Sequence, residues 1–188
     1  MKQYDPWQTY KTKNGFNADE IISGLQKSIR RAEEDVAVTI AYEMYSTSEE
    51  LENKLWKRLI VISVEDIGFG DPHAPVLIQT LHNFSQKFAY DAVDRPLFFV
   101  HAIRYLCSCE KDRSSDMLKN IVEQEYKQGH VAEIKDYMLD MHTRRGQELG
   151  RGIDHFYNEA SKVIPEKRGA HKDYLQRLLN LIQSADYD

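Results

Sequence analysis

From Asn17 onward the apolar residues return every three or four positions. Ile21, Ile22, Leu25 and Ile29 fall at i, i+1, i+4 and i+8, one face of a helix. A second amphipathic segment spans about Asp35 to Tyr45. In "STSEELENKLWKRLIVISVEDIG", Ser46 and Glu49 stand at capping-box spacing, and Leu51, Leu55, Leu59 and Ile62 form one stripe. Trp56, Ile60 and Val64 widen that stripe, so the second half of this helix is expected to be buried nearly all round. "GFGDPHAP" is a break, with Asp71 and Pro72 as N-cap and first-turn residues for a helix carrying Leu77, Leu81, Phe84 and Phe88. "RPLFFVHAIRYLC" is the most apolar segment and reads as a central helix. Met117, Leu118, Ile121, Val122 and Tyr126 predict another, closed by Gly129. Ile153, Phe156, Tyr157, Ala160 and Val163, then Tyr174, Leu175, Leu178, Leu179 and Ile182, continue the period. No segment alternates as a strand does. The pattern predicts an all-α multi-helix bundle of roughly seven to nine helices.

The polar and aromatic residues 1–14 read as an N-terminal arm, 15–130 as a helical domain, and 131–188 as a C-terminal helical extension packed on the same domain. The chain has 188 residues with five prolines and nine glycines, which leaves long stretches for helices. No apolar run approaches the ~20 residues of a membrane span. The opening residues show no secretory signal, and a cytoplasmic location is expected. The formal charge of −5 argues against indiscriminate nucleic-acid binding and leaves room for local basic clusters. Lys27, Arg30 and Arg31 form one such cluster; Arg144, Arg145 and Arg151 form another. Cys107 and Cys109 lack a second ligand pair for zinc and read as buried thiols.

The histidines, His73, His82, His101, His130, His142, His155 and His171, belong to no His-Glu-x-x-His or His-Asp motif. No metal site, catalytic residue or cofactor is expected. His101, inside an apolar helix, reads as a core residue. Glu65 and Asp66 are neighbours that do not converge on an α-helix, so a structural role at the break before Gly68 is expected. "DMHTRRGQELGRGIDHF", Asp140 to Phe156, reads in two ways. If Thr143 caps a helix beginning at Arg144, the free amides there, with the Thr143 hydroxyl, the Arg144, Arg145 and Arg151 guanidiniums, Gly146, and the His142 and His155 rings, make an anion site suited to phosphate. Alternatively Asp136 and Asp140 neutralise the arginines, and Gly146 and Gly150 let another helix approach. The glycine spacing is one short of a Walker A loop, which also needs a lysine, so this stretch is not expected to hydrolyse ATP.

Three stretches, "GFNADEIISGLQKSIRR", "LWKRLIVISVEDIGFGDPHAPVL" and "RPLFFVHAIRYLCSCEKDRSSD", together resemble the C-terminal helical region of the replication-associated recombination ATPases. These are clamp-loader-related AAA+ proteins that include the WRN-helicase-interacting protein. "SVEDIGFGDPHA", Ser63 to Ala74, is the most specific piece, and the match runs in order from about Gly15 to Ile121. The resemblance implies a clamp-loader collar-like bundle that assembles as a homo-oligomer, often a tetramer, with DNA as a partner at replication forks. The turns "RRAEED" and "EKDRSSD" depart from the family's pattern, and no ATPase module is present in these residues. A stand-alone relative of the collar is therefore expected: a non-enzymatic oligomerising domain in replication, recombination or repair, with DNA phosphates as a candidate ligand. Two alternatives stay open: a small phosphate- or nucleotide-handling enzyme with His142 or His155 as acid or base and Asp154 orienting it, and an adaptor that recruits a separate ATPase.

Overall fold

The computed structural model describes residues 5–169 and 172–185. His171 and the first four residues of the expected arm lie outside them. The helices are α1 (Ala18–Arg30), α2 (Glu34–Thr47), α3 (Glu49–Ile62), α4 (Ala74–Ser85), α5 (Arg95–Ser108), α6 (Ser114–Lys127), α7 (Arg144–Glu148), α8 (Ile153–His155) and α9 (Lys172–Ala185). A π-turn, Ser63–Ile67, and a 3-10 turn, Gly68–Gly70, follow α3, and a second π-turn, Phe156–Ala160, follows α8. Among the described residues there is no β-strand, only an isolated bridge between Lys11 and Asn17. The fold is all-α. The chain divides into two compact units, Met1–His130 and Val131–Asp188.

In the first unit, side-chain contacts give the helix directions. Arg58 late in α3 donates to Gln26 late in α1, while Tyr10 and Lys13, just before α1, bond Ser48 and Thr47, just before α3. Thus α1 and α3 run the same way, with α2 returning between them. Glu34 at the start of α2 pairs with Arg104 late in α5 at 2.7 Å, and the Tyr45 ring near the end of α2 lies 5.5 Å from that of Phe99. The first turns of α4 follow Asp71, which accepts from Tyr105 near the end of α5 at 2.5 Å. Trp56, Phe99, Leu25, Ile29, Met44, Leu55, Leu59, Ile62, Ile78 and Ile103 are among the fully buried side chains at the centre. Each contributes roughly 1.5–3 kcal/mol by leaving water.

The expected lead-in is extended but tied down. Lys13 donates its amide to Thr47 at 3.0 Å, Asn14 donates to Glu43, and the Trp7 and Tyr10 rings pack on the core. Ser48, not Ser46, caps α3: α2 continues through Thr47, the backbone extends at Ser48, and its hydroxyl accepts the Leu51 amide at 3.2 Å. Asp71 likewise stops short of capping α4, which begins at Ala74; its carboxylate instead closes a local turn on the His73 amide at 3.0 Å. The buried residues of α4 are Ala74, Ile78 and Ser85, so Phe84 turns outward, and Phe88, past the end of the helix, lies partly exposed against the Phe98 ring. His101 is exposed rather than in the core, because the buried stripe of α5 is Phe99, Ala102, Ile103 and Leu106, on the opposite side of the helix. Cys107 is buried as expected, while Cys109, just past the end of α5, is only partly so. Gly129, at φ 91°, ends α6 with the His130 amide bonded back to the Glu125 carbonyl at 3.0 Å.

An ion pair lies inside the bundle beside Tyr45. Glu52 is 1% exposed and accepts from the Arg95 Nε at 2.9 and 3.2 Å, and Arg95 also donates to the Phe88 carbonyl. Next to it Tyr45 and Tyr90 each donate a hydroxyl to the other's carbonyl, with ring centroids 5.0 Å apart. A buried guanidinium that loses its carboxylate keeps the full cost of its desolvation. Glu52→Ala is therefore expected to lower the unfolding free energy by about 3–5 kcal/mol. Urea denaturation followed by circular dichroism measures this; a loss below about 1 kcal/mol, the level of an exposed pair, would refute it.

Candidate functional site

Two groups of side chains have the polar density of a site, one in each unit. The first is built on "SVEDIGFGD". In a regular α-helix Glu65 and Asp66 would diverge, but Ser63–Ile67 is a π-turn, and both carboxylates meet the same partners. Asp66 is fully buried and accepts from the Arg30 Nε at 2.6 Å and the Gln26 Nε2 at 2.7 Å, with the Arg113 Nε at 3.3 Å. Glu65 accepts from Gln26 at 2.8 Å and lies 3.5 Å from Arg30, 3.7 Å from Arg113 and 4.0 Å from Arg58. Asp116 accepts a hydrogen bond from the Arg113 Nη2 at 2.5 Å. Three guanidiniums thus face three carboxylates. The group joins α1, α3, the π-turn and the start of α6.

The following turn is fixed by close contact. The Asp112 amide bonds the Ile67 carbonyl at 3.1 Å. A Cβ at Gly68, where φ is 52°, would lie 2.3 Å from the Asp112 carbonyl oxygen, and one at Gly70 would lie 2.4 Å from that of Glu110. Only glycine lets the chain pass there. At the end of this turn the Tyr105 hydroxyl and the His73 amide hold the Asp71 carboxyl below the usual carboxylate range. Burial raises the Cys107 thiol to about 11, so it stays protonated and inert near neutral pH.

The second group holds the residues singled out in the tail. Thr143 caps α7, its hydroxyl accepting the Gly146 amide at 3.0 Å. Arg151 turns inward: its guanidinium donates to the Asp136 and Leu139 carbonyls, both at 2.6 Å, and to the Asp136 carboxylate at 2.5 Å. The Arg151 amide bonds the Gly146 carbonyl and the Gly150 amide bonds that of Gln147, a helix end for which Gly150 supplies φ 68°. Gly146 is buried against backbone, not against a helix; a Cβ there would meet the Asp140 carbonyl oxygen at 1.9 Å. Thr143, Gly146 and Arg151 are thus drawn together as the frame of one small fold. Arg144 is 91% exposed and pairs with Glu148 at 2.9 Å, and the Arg145 guanidinium has no hydrogen-bond or ion-pair partner among the described residues. His142 bonds Asp140 at 3.0 Å, which holds that carboxyl below its usual range, and its ring meets the edge of Phe156 at 5.2 Å. His155 is half-buried, and its Nδ1 has no hydrogen-bond partner. Among the described residues no three His, Cys, Asp or Glu side chains are grouped to hold a metal ion.

Sequence spacing does not reveal the polar group around Asp66, because neighbouring carboxylates diverge on a regular α-helix and Arg30 stands beside Lys27 and Arg31 as a surface cluster would. Nothing local in the chain marks Arg113 or Arg58 as their partners. The available signal was an acidic pair in an otherwise apolar helix end, which requires cations from elsewhere in the chain.

The tail geometry gives a direct test. Gly146→Ala, which forces a methyl group onto the Asp140 backbone, and Arg151→Ala, which frees two carbonyls and a carboxylate, are both expected to remove hydrogen-exchange protection from amides in 139–151. Amides of α1–α5 should keep theirs. Unchanged protection in both variants would contradict the framework role of these residues.

A family model described as MgsA AAA+ ATPase C terminal matches residues 32–182, which takes in the tail group and all of the Asp66 group except Gln26 and Arg30. The replication-associated recombination protein A of Bacillus subtilis (strain 168) is 28% identical over 145 residues, covering 77% of this chain and 34% of that protein. Its counterpart in Haemophilus influenzae is 28% identical over 146 residues, covering 77% of this chain and 32% of that protein. The chain therefore spans about a third of the length of these curated relatives. With an all-α fold and a family match that runs through most of its residues, the chain belongs to the MgsA AAA+ ATPase C-terminal family.

Proposed function

We propose that this chain is a non-catalytic assembly domain that works in replication-associated recombination, joining copies of itself and meeting DNA through its tail. The replication and recombination setting comes with the family. The observation that carries the assembly reading is a contrast within the first unit. Helices α1–α5 complete a core, whereas α6 buries no residue and leaves Met117, Leu118, Ile121, Val122 and Tyr126 in solvent. A contiguous apolar stripe of that kind is characteristic of a surface that another protein covers. A homo-oligomer, tetrameric by analogy with the family, is the proposed form. No described helix is long and apolar enough to cross a membrane, and a cytoplasmic location fits the proposed role.

The DNA contact is proposed for Arg144 and Arg145 alone. Arg144 is exposed and shared only with a surface glutamate, and Arg145 is unpaired among the described residues, so both guanidiniums are open to phosphate oxygens. Arg151 has its donors spent on the tail's own carbonyls and carboxylate. Fluorescence anisotropy with forked DNA at roughly 50 and 200 mM salt tests this part. Replacing both arginines with alanine is expected to weaken binding at all sequences and to lower the salt slope by about one per arginine. Absence of binding at low salt would remove DNA from the proposal and leave protein assembly; a monomer without DNA affinity would sink it.

A further inference from the structure

We propose that Asn14 is a site of spontaneous covalent modification, and that its conversion to a carboxylate drives the tip of the N-terminal arm off α2. Of the chain's seven asparagines, Asn14 alone precedes a glycine. It stands exposed in a tight turn: the Gly15 amide bonds the Thr12 carbonyl at 2.9 Å, the Thr12 amide bonds the Phe16 carbonyl at 3.0 Å, and Lys11 bridges to Asn17. Gly15 has φ 85°, and nothing lies within 4 Å of the place a Cβ would take. The backbone nitrogen that follows Asn14 therefore has no side chain of its own to shield it.

The chemistry needs only water. The Gly15 backbone nitrogen attacks the Asn14 Cγ, the Cγ–Nδ2 bond breaks, and the Gly15 amide proton leaves with that nitrogen as ammonia. Water then opens the five-membered imide at either of its carbonyls, its hydroxyl going to carbon and its proton to the ring nitrogen. One opening leaves aspartate at position 14. The other leaves isoaspartate, in which the main chain runs through Cγ. Nothing is oxidised or reduced, and the net change is oxygen in place of NH.

Glu43 gives this conversion its consequence. The Asn14 backbone amide donates to one Glu43 oxygen at 3.0 Å, and the Asn14 Nδ2 donates to the other at 2.6 Å. Burial pushes the Glu43 carboxyl up, but the Thr12 side chain, the Asn14 donors and the Lys13 charge outweigh it and hold the carboxyl below its usual range. Glu43 is thus an anion at neutral pH. While the turn is closed, Nδ2 is tied to Glu43 and the Gly15 nitrogen to Thr12, so the imide forms only when the turn opens. After the reaction a carboxylate oxygen stands where Nδ2 stood, 2.6 Å from a Glu43 oxygen. Two anions that close repel, and the pair stays together only if one takes up a proton. Glu43 is half-buried on α2 between the buried Ala41 and Met44, so the exposed turn is the part that moves. The bond that slows the reaction is also the one that the reaction destroys, and the modified turn cannot close again. The Trp7 and Tyr10 rings keep the start of the arm on the core.

Peptide mapping by mass spectrometry, on the full chain held in mildly alkaline buffer, tests the site. The exchange of NH for oxygen is expected at Asn14, faster in urea-unfolded chain than in folded chain. Glu43→Ala is expected to speed the folded reaction by roughly tenfold, as loss of a hydrogen bond to a charged group would. A folded chain that shows no exchange while the unfolded chain converts completely overturns the site. Equal rates folded and unfolded, or a Glu43→Ala rate matching wild type, overturn the protection by Glu43. The consequence is read by hydrogen exchange. Asn14→Asp is expected to lose protection at the Thr12, Gly15, Phe16 and Ala18 amides beyond the loss in Asn14→Ala, which removes a bond without adding a charge. Adding Glu43→Gln to Asn14→Asp should restore it, because the glutamine amide can donate to the new carboxylate. Amides of α3 and α5 are expected to keep their protection in every variant, which separates release of the tip from unfolding. Equal losses in Asn14→Asp and Asn14→Ala, or no recovery with Glu43→Gln, overturn the release by repulsion.

Discussion

A carboxylate with no water around it has to be met by cations, and in this fold the demand at Asp66 organises one end of the bundle. Its oxygens draw Arg30 and Gln26 from α1 and Arg113 from the segment before α6, and Glu65 beside it adds Arg58 of α3. An apolar residue at 66 could pack there, but it would not specify which arginines arrive or from where. The ionic group therefore does for register what the hydrophobic core cannot. It fixes where α1 ends against α3 and where α6 begins. The glycine turn that follows adds a steric version of the same constraint, since the Glu110–Asp112 backbone passes where Cβ atoms at Gly68 and Gly70 would stand.

Much of the architecture was legible in the chain because helical periodicity is a local property. Leu25 and Ile29, then Leu51, Leu55, Leu59 and Ile62, announce their helices from spacing alone, and all are buried. What periodicity did not give was which part of an apolar helix faces inward. In α5 almost every residue is apolar enough to be a core candidate, so nothing local placed His101 on the outside. In α4 the buried positions include Ala74 and Ser85, small residues that a search for large hydrophobics passes over, while Phe84 faces solvent. Caps failed for a similar reason. Ser46 and Ser48 are equally good by type, and the choice between them depends on where Tyr10 and Thr47 come to lie.

The candidate sites were less legible, and the reason is distance along the chain. Asp66 meets residues 36 to 40 positions earlier and an arginine from beyond α5, and no spacing rule encodes such a meeting. The tail was the reverse case. Its glycines and arginines stood out by composition, but the roles divide residue by residue. Thr143 caps the helix, Gly150 ends it, Gly146 admits a passing backbone, and Arg151 closes the loop on carbonyls. Arg144 and Arg145 remain turned to solvent. A basic cluster in sequence is thus a mixture of structural and available charge, which only the fold separates.

The reciprocal tyrosines give the two ends of the bundle different chemistry. At the Tyr45–Tyr90 end two joints beside the Glu52–Arg95 pair are phenol hydroxyls donating to carbonyls, and burial raises both phenols above their usual range. Such a bond is present below about pH 10 and is lost only as pH climbs through the raised value. At the other end the long-range side-chain links run chiefly between the Glu65 and Asp66 carboxylates and their arginines. A rise of pH through the phenol range therefore undoes the tie between α2 and the segment that joins α4 to α5, a change with no counterpart among the arginine–carboxylate links of the Asp66 end.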